Sequence, residues 1–155
     1  MIVSTIQSVV ANLSKPVGFF FCDIYQLNNE LDKYDLEQDI VYGYIPPFDI
    51  SDTIAENDLI HTTFTLQFYL MRKLHHPTVD YKTIEVEPVI DEMRELAREF
   101  IHSLNSHEVV EKQGPAAGIT SVKINSEYGF ADAHLFGVSV QATVPIFENK
   151  TGCVS

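Results

Sequence analysis

Residues 61–70 constrain this chain more than any other stretch. Phe64, Leu66, Phe68 and Leu70 alternate there with Thr63, Thr65, Gln67 and Tyr69, a period of two over four repeats that marks a β-strand. Such a strand has one dry face and one wet face. The chain must therefore build a sheet and supply a cover for half of it. The cover is legible further on. Val89, Met93, Leu96, Phe100 and Leu104 step by four, three, four and four, and Ile90, Ala97 and Ile101 widen the stripe, as on the apolar side of a helix. This helix is expected over residues 83–104. Glu85, Glu87, Asp91 and Glu92 open it, and His102 and His107 lie near its end, the arrangement the helix dipole favours. Pro88 is tolerated only in a first turn, which places the start of the helix proper near Glu87. From Pro88 to Leu104 it would run ~25 Å, enough to cross a sheet.

Further strands surround this pair. The last, residues 135–146, carries Val138, Val140, Ala142 and Val144 on one face. Residues 119–124 predict another, separated from it by a turn-rich segment, Asn125-Ser126-Glu127-Tyr128-Gly129. Residues 40–45 predict a strand that Pro46-Pro47 stops, and residues 48–58 read as acidic and turn-rich. Near the beginning, Ile2, Ile6, Val9, Val10 and Leu13 follow helical spacing until Ser14-Lys15-Pro16 ends the pattern. A strand over residues 17–24 follows. Its unbroken run Phe19-Phe20-Phe21-Cys22 implies burial on both faces, one of them at a subunit contact. Residues 25–39 hold Glu30, Asp32, Asp35, Glu37 and Asp39 against Lys33 alone, and read as an exposed loop or hairpin tip reaching a neighbouring subunit. Gly114-Pro115-Ala116-Ala117-Gly118 reads as a flexible joint. The expected fold class is α+β: a mostly antiparallel sheet with one long helix packed across it and a short N-terminal helix. Residues 1–146 form one domain in this reading and residues 147–155 a polar tail.

Charge narrows the partners. Ten Lys and Arg against 22 Asp and Glu give a net charge of −12 over 155 residues. Such a surface repels nucleic acid phosphates, whose binders normally exchange counterions for cations, and it disfavours anionic membrane in the same way. Hydrophobic residues at 45% argue against disorder as the dominant state. Cys22 ends an apolar run and reads as a small buried hydrophobe, while Cys153 reads as a free surface thiol, so no disulfide framework is expected and a reducing compartment fits. Residues 1–13 lack the basic and long apolar regions of a signal peptide, and no run reaches the ~20 apolar residues that span a bilayer. The expectation is a soluble protein made in the cytoplasm.

Candidate chemistry is thin. His75-His76 with Asp80 lacks metal-ligand spacing. Asp132-Ala133-His134 could supply an acid–base pair and Ser126 or Ser139 a nucleophile, but no nucleophile elbow or oxyanion signature accompanies them. Glu85 and Glu87 are more simply acids at a helix start than cation ligands. No phosphate-binding glycine loop occurs. The sequence predicts no enzyme, metal or cofactor.

The order of these elements, and the segment Tyr128-Gly129-Phe130-Ala131-Asp132-Ala133-His134-Leu135-Phe136-Gly137-Val138 entering the last strand, resembles the tail-terminator (tail-completion) proteins of long-tailed bacteriophages. The resemblance implies a structural virion protein. It would form a ring, usually sixfold, at the head-proximal end of the tail tube, ending tube growth and joining the head connector. DNA would pass through the ring without being specifically bound. The expected partners are further copies of itself, the tail tube protein and head connector proteins. The expected subunit-interface residues are Phe19, Phe20 and Phe21 with Glu30, Asp32 and Asp35. Three other readings compete: another phage ring component (stopper, adaptor or baseplate subunit), an acidic DNA-mimic inhibitor, and a small enzyme or ligand-binding α+β barrel, which would need an apolar pocket with a few convergent polar groups.

Overall fold

The alternating stretch forms the strand about which the whole sheet is arranged. A computed structural model describes residues 2–32, 41–48, 50–54, 60–73, 83–112, 118–130 and 135–146. In chain order the elements are α1 (Ile2–Ala11), β1 (Val17–Phe21), α2 (Ile24–Asp32), β2 (Val41–Ile45), β3 (Ile50–Ile54), β4 (Ile60–Arg72), α3 (Thr83–Asn105), β5 (Thr120–Phe130) and β6 (Leu135–Ile146). The strands make one sheet in the order β1-β2-β4-β6-β5, and β3 pairs with the first part of β4. All neighbours are antiparallel except β1 and β2, which run parallel. The fold is thus α+β with a mostly antiparallel sheet, as the residue patterns imply.

One face of the sheet carries the main core. Phe64, Leu66, Phe68 and Leu70 of β4 and Val138, Val140, Ala142 and Val144 of β6 lie there, all buried. α3 closes over them with Val86, Val89, Met93, Leu96, Phe100 and Leu104, and α1 adds Ile2, Ile6, Val9 and Val10. The Phe68 and Phe100 rings meet at 4.6 Å. Each large side chain so buried contributes roughly 1.5–3 kcal/mol. Polar contacts join α1 to α3. The Ser14 backbone N–H and hydroxyl donate to the two carboxylate oxygens of Glu99 at 2.8 and 2.7 Å. Lys15 pairs with Glu92, which also accepts from Arg72 Nη1 at 2.8 Å. Where β6 presses on β4, a Cβ on Gly137 would lie 2.0 Å from the Leu70 carbonyl oxygen, so no side chain fits there.

Four sequence expectations change. Residues 25–39 were expected as a loop or hairpin tip, yet residues 24–32 are helix α2; residues 33–40 lie outside the described set. This helix begins with a capping box in which the Asp23 carboxylate accepts from the Gln26 backbone N–H at 2.9 Å, and Gln26 Oε1 accepts from the Asp23 N–H at 3.4 Å. It sits on the opposite side of the sheet from α3, where Leu27 and Leu31 bury against Tyr42, Tyr44, Met71 and Leu135. A second, smaller core results.

The region read as acidic and turn-rich at 48–58 contains β3, which cross-strand pairing with β4 draws into the sheet. The presumed turn at 125–129 is strand too. A bulge at Gly129, with φ 63°, absorbs the glycine and lets β5 run on to Phe130. Finally, α3 starts at Thr83, before the expected Glu87, so Pro88 lies in its second turn. Proline there denies Ile84 its carbonyl's intrahelical partner, and burial of Val86, Val89 and Ile90 holds the turn in place. The joint at 114–117 and the tail at 147–155 lie outside the described residues.

Candidate assembly interface

The sheet ends on one side at β1, and the sequence of that strand explains its form. Pro16 terminates the helical pattern, and Val17-Gly18-Phe19-Phe20-Phe21 is rich in residues that suit a pleated surface. β2 pairs along one side of it, from Val17 opposite Val41 to Phe21 opposite Ile45. Among the described residues no strand pairs along its other side. Because side chains alternate, the three phenylalanines do not make one patch. Phe19 packs against the α1–α3 core, whereas Phe20 belongs to the α2 side and stacks on Tyr42 at 6.4 Å. Phe21 is 47% exposed and meets Phe48 at 5.6 Å; Phe48 in turn sits edge-on to Phe64 at 4.4 Å. The expected burial of this run on both faces is therefore partial within the chain itself.

The expected interface acids divide. Glu30 lies half-buried on α2, Asp32 is the last residue of that helix, and Asp35 falls outside the described residues. The structure brings Glu30 and Asp23 together around Cys22. Burial first, then these two carboxylates, push the Cys22 thiol above its ordinary pKa. Cys22 is half-buried, less enclosed than its apolar run implies. Sequence reasoning missed Ile24 and Tyr25, exposed beside Phe21, the latter by 80%. It also missed Ile50 and Ile54 on β3, which are exposed as well. The signal that could have found the α2 group was the Asp23-x-x-Gln26 box with Leu27 and Leu31 four apart.

The sheet ends on the other side at β5. Register shifts occur between Thr120 and Lys123 and between Glu127 and Phe130. Ser121 at φ 55° and Gly129 at φ 63° mark them. Between them, Lys123 to Glu127 pairs regularly with Gln141 to Gly137. Val122 and Tyr128 are exposed at the two ends of this regular stretch. Arg94 of α3 reaches Ser126 at 3.4 Å.

The face of β4, β6 and β5 away from α3 is polar, with Thr65, Gln67 and Tyr69 opposite Thr143, Gln141 and Ser139. Ser139 is buried in that layer. Beside it Tyr69 Oη accepts from Gln67 Nε2 at 2.7 Å, and the Tyr44 ring stacks on Tyr69 at 5.7 Å. Burial lifts the Tyr44 hydroxyl to a pKa of about 12, and Cys22, Tyr69 and Asp23 add to the shift.

Among the described residues no three His, Cys, Asp or Glu side chains gather as metal ligands would. His75, His76, Asp80, Asp132, His134 and Cys153 lie outside that set. No described helix is long and apolar enough to cross a membrane. What the described surface offers is the two outermost strands of the sheet, β1 and β5, flanked by exposed apolar side chains. Comparison with protein-family models, with curated proteins and with solved structures gave no match.

Proposed function

We propose that this chain is a ring-forming virion protein of the tail-terminator kind, which closes the head-proximal end of a phage tail tube and meets the head connector. The observation that carries this reading is the uncharged edge of β1. Monomeric proteins guard such edges with lysines, prolines or bulges; β1 has none within its five residues and stands beside exposed Phe21, Ile24 and Tyr25. A contact that joins unlike surfaces closes into a ring when its rotation fits. The order of elements supports the same reading: a first helix, a mostly antiparallel sheet, and one long helix across it. So does the charge. With −12 on each subunit, an acidic lumen repels phosphate within a Debye length of ~8 Å and lets DNA pass without holding it. Other ring positions in the same particle, stopper or adaptor, share these features.

Negative-stain microscopy and native mass of the concentrated protein test the proposal. Closed rings with a hole wide enough for duplex DNA are expected, and Phe21→Asp should leave a folded monomer. A wild-type monomer at high concentration overturns the reading.

One observation favours the DNA-mimic alternative. Glu87, Asp91 and Glu95 are exposed at four-residue intervals on α3, a row of carboxylates about 6 Å apart. That reading requires a monomer or dimer, so the same mass measurement separates the two.

A further inference from the structure

We propose that β1 of one subunit pairs antiparallel with the Lys123–Glu127 stretch of β5 in the next copy, joining the two free ends of the sheet head to tail. This rests on the ring reading above and names the surfaces that make the ring.

Strand direction comes first. β1 runs with β2, against β4, with β6 and against β5. A neighbouring copy displaced sideways in the plane of the sheet keeps those directions. Its β5 therefore meets β1 antiparallel, the more stable pairing per residue.

Level along the strands comes next. Phe20, Tyr44, Tyr69, Ser139 and Asn125 form one continuous cross-strand row, and Gly18, Tyr42, Met71, Gly137 and Glu127 form another. Both edges thus lie at the same height on the sheet. Side-by-side copies set Phe20 opposite Asn125 and Gly18 opposite Glu127 without a slip. A one-residue slip would turn every side chain to the wrong face.

The lengths agree as well. β1 has five residues, and the bulges of β5 leave five in regular pairing, Lys123 to Glu127. Those bulges restrict where a fifth-strand neighbour can attach, so they act as register stops rather than only as edge guards.

Charge selects the partner. Over residues 17–32 the ionised side chains are Asp23, Glu30 and Asp32, with no cation. Over residues 118–127 the ionised side chains are Lys123 and Glu127; the rows set Glu127 opposite Gly18, away from those acids, and leave Lys123 at the end nearest them. Continuing the rows by one step sets Lys123 opposite Cys22, the residue already flanked by Asp23 and Glu30. An edge lysine normally discourages pairing; here the opposing edge supplies its counter-charge, and opposite charges across strands stabilise. Two β1 edges related by a twofold axis would leave Lys123 unmatched and yield only dimers.

The native Cys22 makes the test direct. In the full chain carrying Cys153→Ser, Lys123→Cys places its thiol opposite Cys22, the residue that follows β1, within the Cα separation a disulfide spans. Mild copper-phenanthroline oxidation at about pH 9, where the thiol ionises more readily, should give a ladder of covalent multimers on a non-reducing gel. The matched control Ser126→Cys points its thiol to the opposite face and should stay monomeric on that gel. Rings that form without a ladder in the Lys123→Cys protein overturn the edge assignment and leave the ring reading standing. Equal ladders in both variants also overturn it, since they report collision. Monomers or dimers of the wild-type chain by native mass overturn the ring reading and this assignment together.

Discussion

The two faces of this sheet are built from the same strands and teach different lessons. Toward α3, β4 and β6 present Phe64, Leu66, Phe68 and Leu70 with Val138, Val140, Ala142 and Val144, sealed by two helices. One residue away along each strand, the opposite face presents Thr65, Gln67, Gln141 and Thr143. There α2 covers only one end, over Tyr42, Tyr44, Met71 and Leu135. The first face is a continuous dry core whose parts depend on one another. The second is a small apolar island beside a wet surface. Stability should follow the first and local opening the second.

The largest expected effect comes from breaking each side in turn. Phe68→Ala removes a fully buried ring packed on Phe100 and should lower unfolding free energy by about 3–5 kcal/mol. Leu27→Ala under α2 should lower it by about 2 kcal/mol, at the low end for such a truncation, because a helix at the margin can settle into the space. Chemical denaturation gives both numbers. Hydrogen exchange sharpens the contrast: Leu27→Ala should speed exchange in α2 alone, whereas Phe68→Ala should speed it throughout the sheet. Equal, global effects would mean the two cores are one cooperative unit.

A smaller effect is confined to the α2 side. The Tyr44 hydroxyl, raised by burial to about 12, binds its proton more tightly folded than unfolded, where tyrosine titrates near 10. Its contribution is fully present below about pH 10 and is lost as pH rises toward 12. Wild-type stability should therefore fall through that window, and Tyr44→Phe should flatten the fall. Denaturation midpoints measured from pH 8 to 11 would show it. An unchanged slope in Tyr44→Phe would assign alkaline loss to other groups.

The smallest effect belongs to the wet surface. Thr65→Lys, on an exposed site between buried Phe64 and Leu66, should change stability by no more than about 0.5 kcal/mol. A large loss would mean that Thr65 is packed within the chain and that this face is not wet.

Much of this contrast is legible from residues alone, and what is not has physical causes. The dry face follows from strict alternation in β4 and β6 and from the four-three stepping of α3, because burial of a whole face imposes a period on the chain. α2 is short, nine residues, and buries chiefly Leu27 and Leu31, so its apolar signal is two residues set among acids and asparagines. β3 has every side chain exposed and bears no burial pattern; only pairing with β4 makes it a strand. At the candidate interface, the sequence singles out Phe19, Phe20 and Phe21 but cannot show that alternate members face opposite ways. Nor does it reveal β5 as the other free edge, because the turn-forming residues at 125–129 mask a strand that a bulge allows to continue.

The clasp between α1 and α3 has a consequence for how the chain is made. Ser14 and Lys15 find Glu99 and Glu92 85 and 77 residues downstream. During synthesis at about 5–20 residues per second, α1 leaves the ribosome several seconds before its anchor exists. For that interval Ile2, Ile6, Val9 and Val10 form a sticky, unsheltered stripe, the kind of segment that holdase chaperones engage. Burial of the α1 stripe thus waits for the arrival of the long helix.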